Sequence, residues 1–168
     1  MKKLLILIII LSLNSCRYFN VSPVNGISTK NLTEQPKKLD FVGTWELDKF
    51  SYETINEMGY NFKKTELNFK LNGKVEAKNL PSFIKTFSEN KTKDFLNMQG
   101  TWNIGKDFND EKWILFLDFK NSKIKEQNFG TEFELFKENE KLILWYFIGD
   151  PDSGERLLFK KKTETAEK

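Results

Sequence analysis

The sequence contains no histidine and a single cysteine. Without histidine there is no imidazole general base, no Ser-His-Asp triad, and none of the side chain that most often binds metals. One cysteine, Cys16, cannot close an internal disulfide, and zinc sites built from Cys and His are excluded. No glycine-rich loop with phosphate-binding spacing precedes a helical pattern. Catalysis would have to rest on paired carboxylates or on a lysine or tyrosine base. The carboxylates Glu46, Asp48, Asp118, Asp150, Asp152 and Glu155 fall on predicted solvent faces or in turns, where solvated surface charge accounts for them. The chain is therefore read as non-enzymatic and without a cofactor. Long apolar runs are missing as well. The longest, Leu4 to Leu13, is half of the roughly 20 residues a spanning helix needs. A charge excess is also absent. With Lys2 and Lys3 set aside, 27 basic and 24 acidic side chains become 25 and 24. That balance argues against a nucleic-acid partner, which would need a basic face.

The N-terminus carries an address. Met1-Lys2-Lys3, the apolar run, and then Asn14-Ser15 have the layout of a secretory signal. The segment Leu13-Asn14-Ser15-Cys16 resembles the bacterial lipobox, on Leu13, Ser15 and Cys16. The resemblance implies cleavage before Cys16, thioether lipidation of its sulfur, and acylation of the new amino group with a chain such as palmitate. An otherwise unpaired thiol in an exported protein is then explained, and several acyl chains anchor firmly. Residues 1–15 are expected as signal peptide and 16–38 as lipidated cysteine and flexible tether, rich in turn formers around Ser22-Pro23-Val24-Asn25-Gly26. Residues 39–162 are expected as the domain and 163–168 as a frayed tail. The expected location is the cell envelope. Arg17-Tyr18-Phe19 carries no acidic run, which leans towards an outer-membrane anchor facing the periplasm.

From Leu39 onward aromatic residues become dense, and apolar and polar residues alternate. Period two with one apolar face marks half-buried strands. The alternation predicts strands over 41–49, 65–71, 74–78, 100–105, 113–120, 131–136, 141–148 and 156–160. Asn72-Gly73 marks a hairpin, as does Lys137-Glu138-Asn139-Glu140. Residues 80–98 break the pattern: Leu80, Phe83, Ile84 and Phe87 lie at three- and four-residue spacings, which predicts a short helix or structured loop. Eight consecutive strands without helical crossovers predict an antiparallel up-and-down β-barrel, which hides its edges by closing on itself. A weak echo links Val42-Gly43-Thr44-Trp45-Glu46-Leu47 and Gln99-Gly100-Thr101-Trp102-Asn103-Ile104, read as a repeated device in which glycine allows a close approach and tryptophan plugs a barrel end.

Gly43-Thr44-Trp45 at the first strand of such a meander resembles the lipocalin-like group of small bacterial barrels. That resemblance implies a barrel-closing motif of Gly43 and Trp45, with Arg156 packed over the indole, and a ligand cavity in the barrel mouth. Eight strands can equally be filled by side chains, and sixteen phenylalanines could do so. Trp113, Trp145, Tyr146 and Phe147 are the candidates to line a pocket for a small apolar ligand, with core packing as their plainer role. Asp150 and Asp152, before Gly154, resemble half of a calcium loop, but a turn explains them as well. Two functions remain: binding of a small apolar ligand, or a structural or protein-interaction module of the cell envelope.

Overall fold

The computed structural model describes residues 29–85, 93–109, 111–120, 128–149 and 155–163. Cys16, Asp150 and Asp152 lie outside the described residues. The elements run β1 (Thr29–Asn31), α1 (Lys38–Phe41), β2 (Gly43–Leu47), α2 (Lys49–Glu57), β3 (Glu66–Phe69), β4 (Lys74–Pro81), a 3₁₀ turn (Ser82–Ile84), β5 (Phe95–Lys106), β6 (Trp113–Lys120), β7 (Phe129–Glu138), β8 (Lys141–Phe147) and β9 (Arg156–Lys161).

Strands β2 to β9 pair antiparallel in chain order, and β2 pairs with β9, so the expected eight-stranded meander is a closed barrel. Trp45↔Lys161 and Leu47↔Phe159 form the closing ladder. β1 is a ninth strand. It pairs with the end of β7 from Asn31↔Phe136 to Thr29↔Glu138, past the point where β6 begins opposite β7. The last residues of the predicted tether thus belong to the fold.

Period two decides what faces inward. Trp45 and Leu47, Leu67 and Phe69, Leu115, Leu117 and Phe119, and Leu157 and Phe159 alternate along their strands and merge in one buried cluster. The parity is interrupted once. Ala77 pairs with Met98 but Leu80 with Leu96, so β4 carries an extra residue there, a β-bulge. Asn79 takes φ +51° at this point. It is held by donation from its Nδ2 to Lys64 O (2.9 Å) and by Asn97 Oδ1 accepting from its N–H (2.9 Å). The bulge restores Leu80 to the interior three residues after Ala77. Among the described residues, the expected short helix near 80–98 is a single 3₁₀ turn, with β4 and β5 extending into the segment from either side.

The barrel has two unlike ends. The hairpin end gathers the tight β3–β4 turn at Asn72-Gly73, the β5–β6 turn, the Asn139-Glu140 turn between β7 and β8, the start of β2 and the end of β9. Gly73 takes φ +79°, and Asn139 and Glu140 take +50° and +61°, as tight hairpins require. The opposite, loop end holds the longer connections, including α2. That helix starts at Asp48, whose Oδ1 accepts from Ser51 N (2.9 Å) and Ser51 Oγ (2.6 Å). Ser51 Oγ in turn accepts from Leu158 N (2.7 Å), and Asp48 N donates to Leu158 O (2.9 Å). The helix start thereby takes over the edge of β9 where β2 stops.

Candidate functional site

Four aromatic rings fill the interior at the hairpin end. Phe41, Trp45, Phe69 and Trp102 lie with centroids 5.4–6.4 Å apart, several edge to face. Both indoles are anchored by their N–H: Trp45 Nε1 donates to Phe41 O (2.7 Å) and Trp102 Nε1 to Lys70 O (3.1 Å). The two tryptophans of the sequence echo therefore meet in one plug. Their glycines serve different needs. Gly43 sits at φ +120°. At Gly100 a Cβ would lie 2.2 Å from Asp118 O across the ladder. Towards the loop end, Tyr60 packs on Phe83 and Phe95, Phe133 on Tyr146 and Phe159, and Tyr60 Oη and Ser82 Oγ share a hydrogen bond of 3.0 Å. Between the ends Leu67, Leu80, Leu115, Leu144 and Phe119 are fully buried. The described interior is thus packed with side chains along its length.

Arg156 occupies a different place from the one the lipocalin resemblance implies. Trp45 pairs with Lys161, five residues further along β9, and odd-numbered Leu157 and Phe159 face inward. Arg156 and Leu158 consequently face outward. The guanidinium lies between two rings, 4.9 Å from the centroid of Trp145 and 5.0 Å from that of Phe50, and is only 1% exposed. Asp48 Oδ2 is 3.5 Å from Nη1, a Coulombic contact without hydrogen-bond geometry, and among the described residues Nε and Nη1 have no hydrogen-bond partner. Burial pulls the arginine below its ordinary pKa, opposed chiefly by the charge of Asp48. This is a clamp: it fixes α2 to β8 and β9 through an apolar outer cluster of Ile143, Trp145 and Leu158, backed by Phe136 and Phe147.

The four predicted pocket residues divide between faces. Trp113 packs on the inner cluster near the hairpin end, under Lys106 Nζ at 4.5 Å from its ring. Tyr146 also packs on the inner cluster, and burial raises the pKa of its phenol. Trp145 and Phe147 belong to the outer cluster, rings 5.5 Å apart and edge to face. Trp145, Tyr146 and Phe147 line a shallow outer cleft of about 290 Å³ with Ile114, Glu132 and Glu134; Trp113 does not. A larger groove, about 780 Å³, opens beside the hairpin end between the segment 32–40 and strands β7, β8 and β9, lined by Leu32, Pro36, Leu39, Leu142 and Ile143 with several lysines and glutamates. Sequence reasoning did not single out this groove, because the segment that forms its wall reads as tether.

Compared with family models, curated proteins and solved structures, the chain matches none.

Proposed function

We propose that this chain is a lipid-anchored protein of the bacterial cell envelope whose barrel is a packed interaction module and not a carrier. The anchor reading rests on Leu13-Asn14-Ser15-Cys16 after a short apolar run. The module reading rests on one observation: the described interior is filled from the Phe41-Trp45-Phe69-Trp102 plug to the Tyr60-Phe83-Phe95 group. A lipocalin-type carrier needs a cavity in the barrel mouth. Here that volume holds aromatic rings, and the aromatic surface that remains outside them is on the outer face, at the half-buried Phe136 and Phe147, with Trp145 sealed beneath Arg156. An outer sheet face is ordinarily polar, so an apolar strip there suits a protein partner.

A second reading keeps a small apolar ligand and moves it to the groove walled by Leu32, Leu39 and Leu142. Native mass spectrometry of the protein from its own envelope, before and after organic extraction, separates the two. The module reading expects the acylated polypeptide mass and nothing extractable beyond it. A stoichiometric mass lost on extraction overturns it in favour of the ligand. Cys16→Ser tests the anchor: the protein moves from the membrane to the soluble fraction and loses its acyl mass. Retention on the membrane with an unmodified Cys16 refutes lipidation.

A further inference from the structure

Large apolar side chains in water are not spread evenly over this barrel. Leu39, Phe62, Leu71 and Phe108 are the exposed ones among the described residues, at 65, 71, 55 and 103%. Three of the four stand at the hairpin end. Leu71 is on the β3–β4 turn and Phe108 on the tip of the β5–β6 turn, while Leu39 is on α1 beside the start of β2. The β5–β6 hairpin reaches past its neighbour. Trp102 N donates to Gly73 O, yet the β5–β6 ladder continues to Lys106↔Trp113, so Phe108 is carried beyond the level of Leu71.

The same end is the basic one. Segments 29–42, 70–74, 105–113, 136–142 and 160–163 contain twelve lysines and seven carboxylates, whereas the rest of the chain after residue 15 contains 13 basic and 17 acidic side chains. It is also the end at which the chain enters the fold. Thr29 pairs with Glu138 beside the β7–β8 turn. Twelve residues separate Cys16 from Thr29, a segment that reaches no further than about 45 Å even when fully extended. Tethered so closely, the end meets a membrane at a high effective concentration, and contacts that act alone only at high lipid concentration are satisfied.

We propose that the hairpin end is a membrane-docking face: Phe108, Leu71 and Leu39 enter the interfacial layer of an anionic bilayer and the surrounding lysines meet its head groups. Apolar tips among lysines are the composition of surfaces that lie on membranes. The inference rests on the anchor reading for its leash, but its own contacts are independent of acylation. Docking would hold the barrel axis upright and present the loop end away from the bilayer.

The test uses the full chain in vesicles of phosphatidylethanolamine and phosphatidylglycerol. With Cys16 acylated, Phe108→Cys and, separately, Phe62→Cys at the loop end each supply the one free thiol for an environment-sensitive dye. Docking expects emission at position 108 to rise about threefold or more, with a blue shift, and to be quenched by bilayer-embedded nitroxide lipids. Position 62 stays water-like. A water-like dye at 108 on vesicle-bound protein overturns the proposal, and so does an equal rise without vesicles, which would mean self-association. Intact mass decides acylation separately: an embedded label on unacylated protein removes the anchor and keeps the docking face. In the Cys16→Ser background, Leu71→Ser with Phe108→Ser weakens vesicle binding by about tenfold or more; an unchanged affinity also overturns the proposal.

Discussion

Gly100→Ala tests how the barrel wall is bent. Gly100 lies on β5 in register with Phe119, on the inner face that Met98 and Trp102 share. A methyl placed there meets Asp118 O at 2.2 Å, its carbonyl carbon at 2.9 Å and Phe119 Cα at 3.0 Å. All three are backbone atoms of β6, so no side chain can swing aside and the ladder itself has to move. Overpacking of this kind costs ~1–3 kcal/mol, and a rigid backbone neighbour puts this site at the upper end. At a few degrees per kcal/mol for a domain this size, the melting temperature falls by about 10 °C. Gly130→Ala is the matched control. Gly130 is on β7, and the nearest atom to its added Cβ is Leu117 O at 3.8 Å, an ordinary contact. Removing a glycine from a strand there is neutral or stabilises by up to ~1 kcal/mol. Urea unfolding of the two variants beside the parent, analysed at a common slope, measures both. Equal stabilities within about 0.5 kcal/mol would refute the reasoning, because close approach at Gly100 is all that separates them.

Three further outcomes are expected. Ser51→Ala leaves the Leu158 N–H and the Asp48 cap without their shared hydroxyl, at a cost of about 2 kcal/mol in urea unfolding, since a buried donor loses its partner. Arg156→Met, which keeps volume between Phe50 and Trp145 and removes two nitrogens lacking hydrogen-bond partners, is neutral to stabilising, whereas Asp48→Ala strands the buried charge and lowers stability by about 3 kcal/mol. Differential scanning calorimetry ranks the pair, and the opposite order would show the ion pair to be the main support. Glu46 is held below its usual pKa of 4.5, first by hydrogen bonding to Lys64, against burial, with help from Lys162. A carboxylate depressed on folding adds stability above its unfolded pKa and loses it as pH falls through the folded one. Stability measured from pH 6 to pH 3 should therefore decline less in Glu46→Gln than in the parent.

The barrel was legible where parity holds. Leu67, Phe69 and the Asn72-Gly73 turn announce β3 and its hairpin, and each lies where alternation puts it. Legibility failed where parity or propensity is overridden. The bulge at Asn79 sets Ala77 and Leu80 three apart on one face, so the end of β4 imitates a helical spacing. Helix α2 was missed because Phe50, Ser51, Tyr52, Thr54, Ile55 and Asn56 are weak helix formers and its buried stripe is largely Ser51 and Thr54, not an apolar run. Only the Asp48 cap could have signalled it. For the site, one parity error mattered. Arg156 was placed over Trp45 by resemblance, but Leu157 and Phe159 claim the interior and turn the guanidinium outward onto Trp145. Three of the four aromatic candidates, Trp145, Tyr146 and Phe147, are consecutive on β8, and a strand necessarily deals consecutive residues to opposite faces.

The pairing of β2 with β9 also sets the order of events in folding. Trp45 cannot find Lys161 until 116 residues of intervening and closing chain are present, so the seam is the most non-local contact in the molecule's ladder. Contacts of that separation are slow to form, because a long loop must be closed before the pairing rewards it. A chain delivered N-terminus first would therefore wait with β2 unpaired on one side, and a truncation that removes β9 would open β2 and β8 along the edges that β9 covers. The last six-residue strand acts as a completeness check: a full-length molecule shuts, and a shortened one remains a sticky sheet.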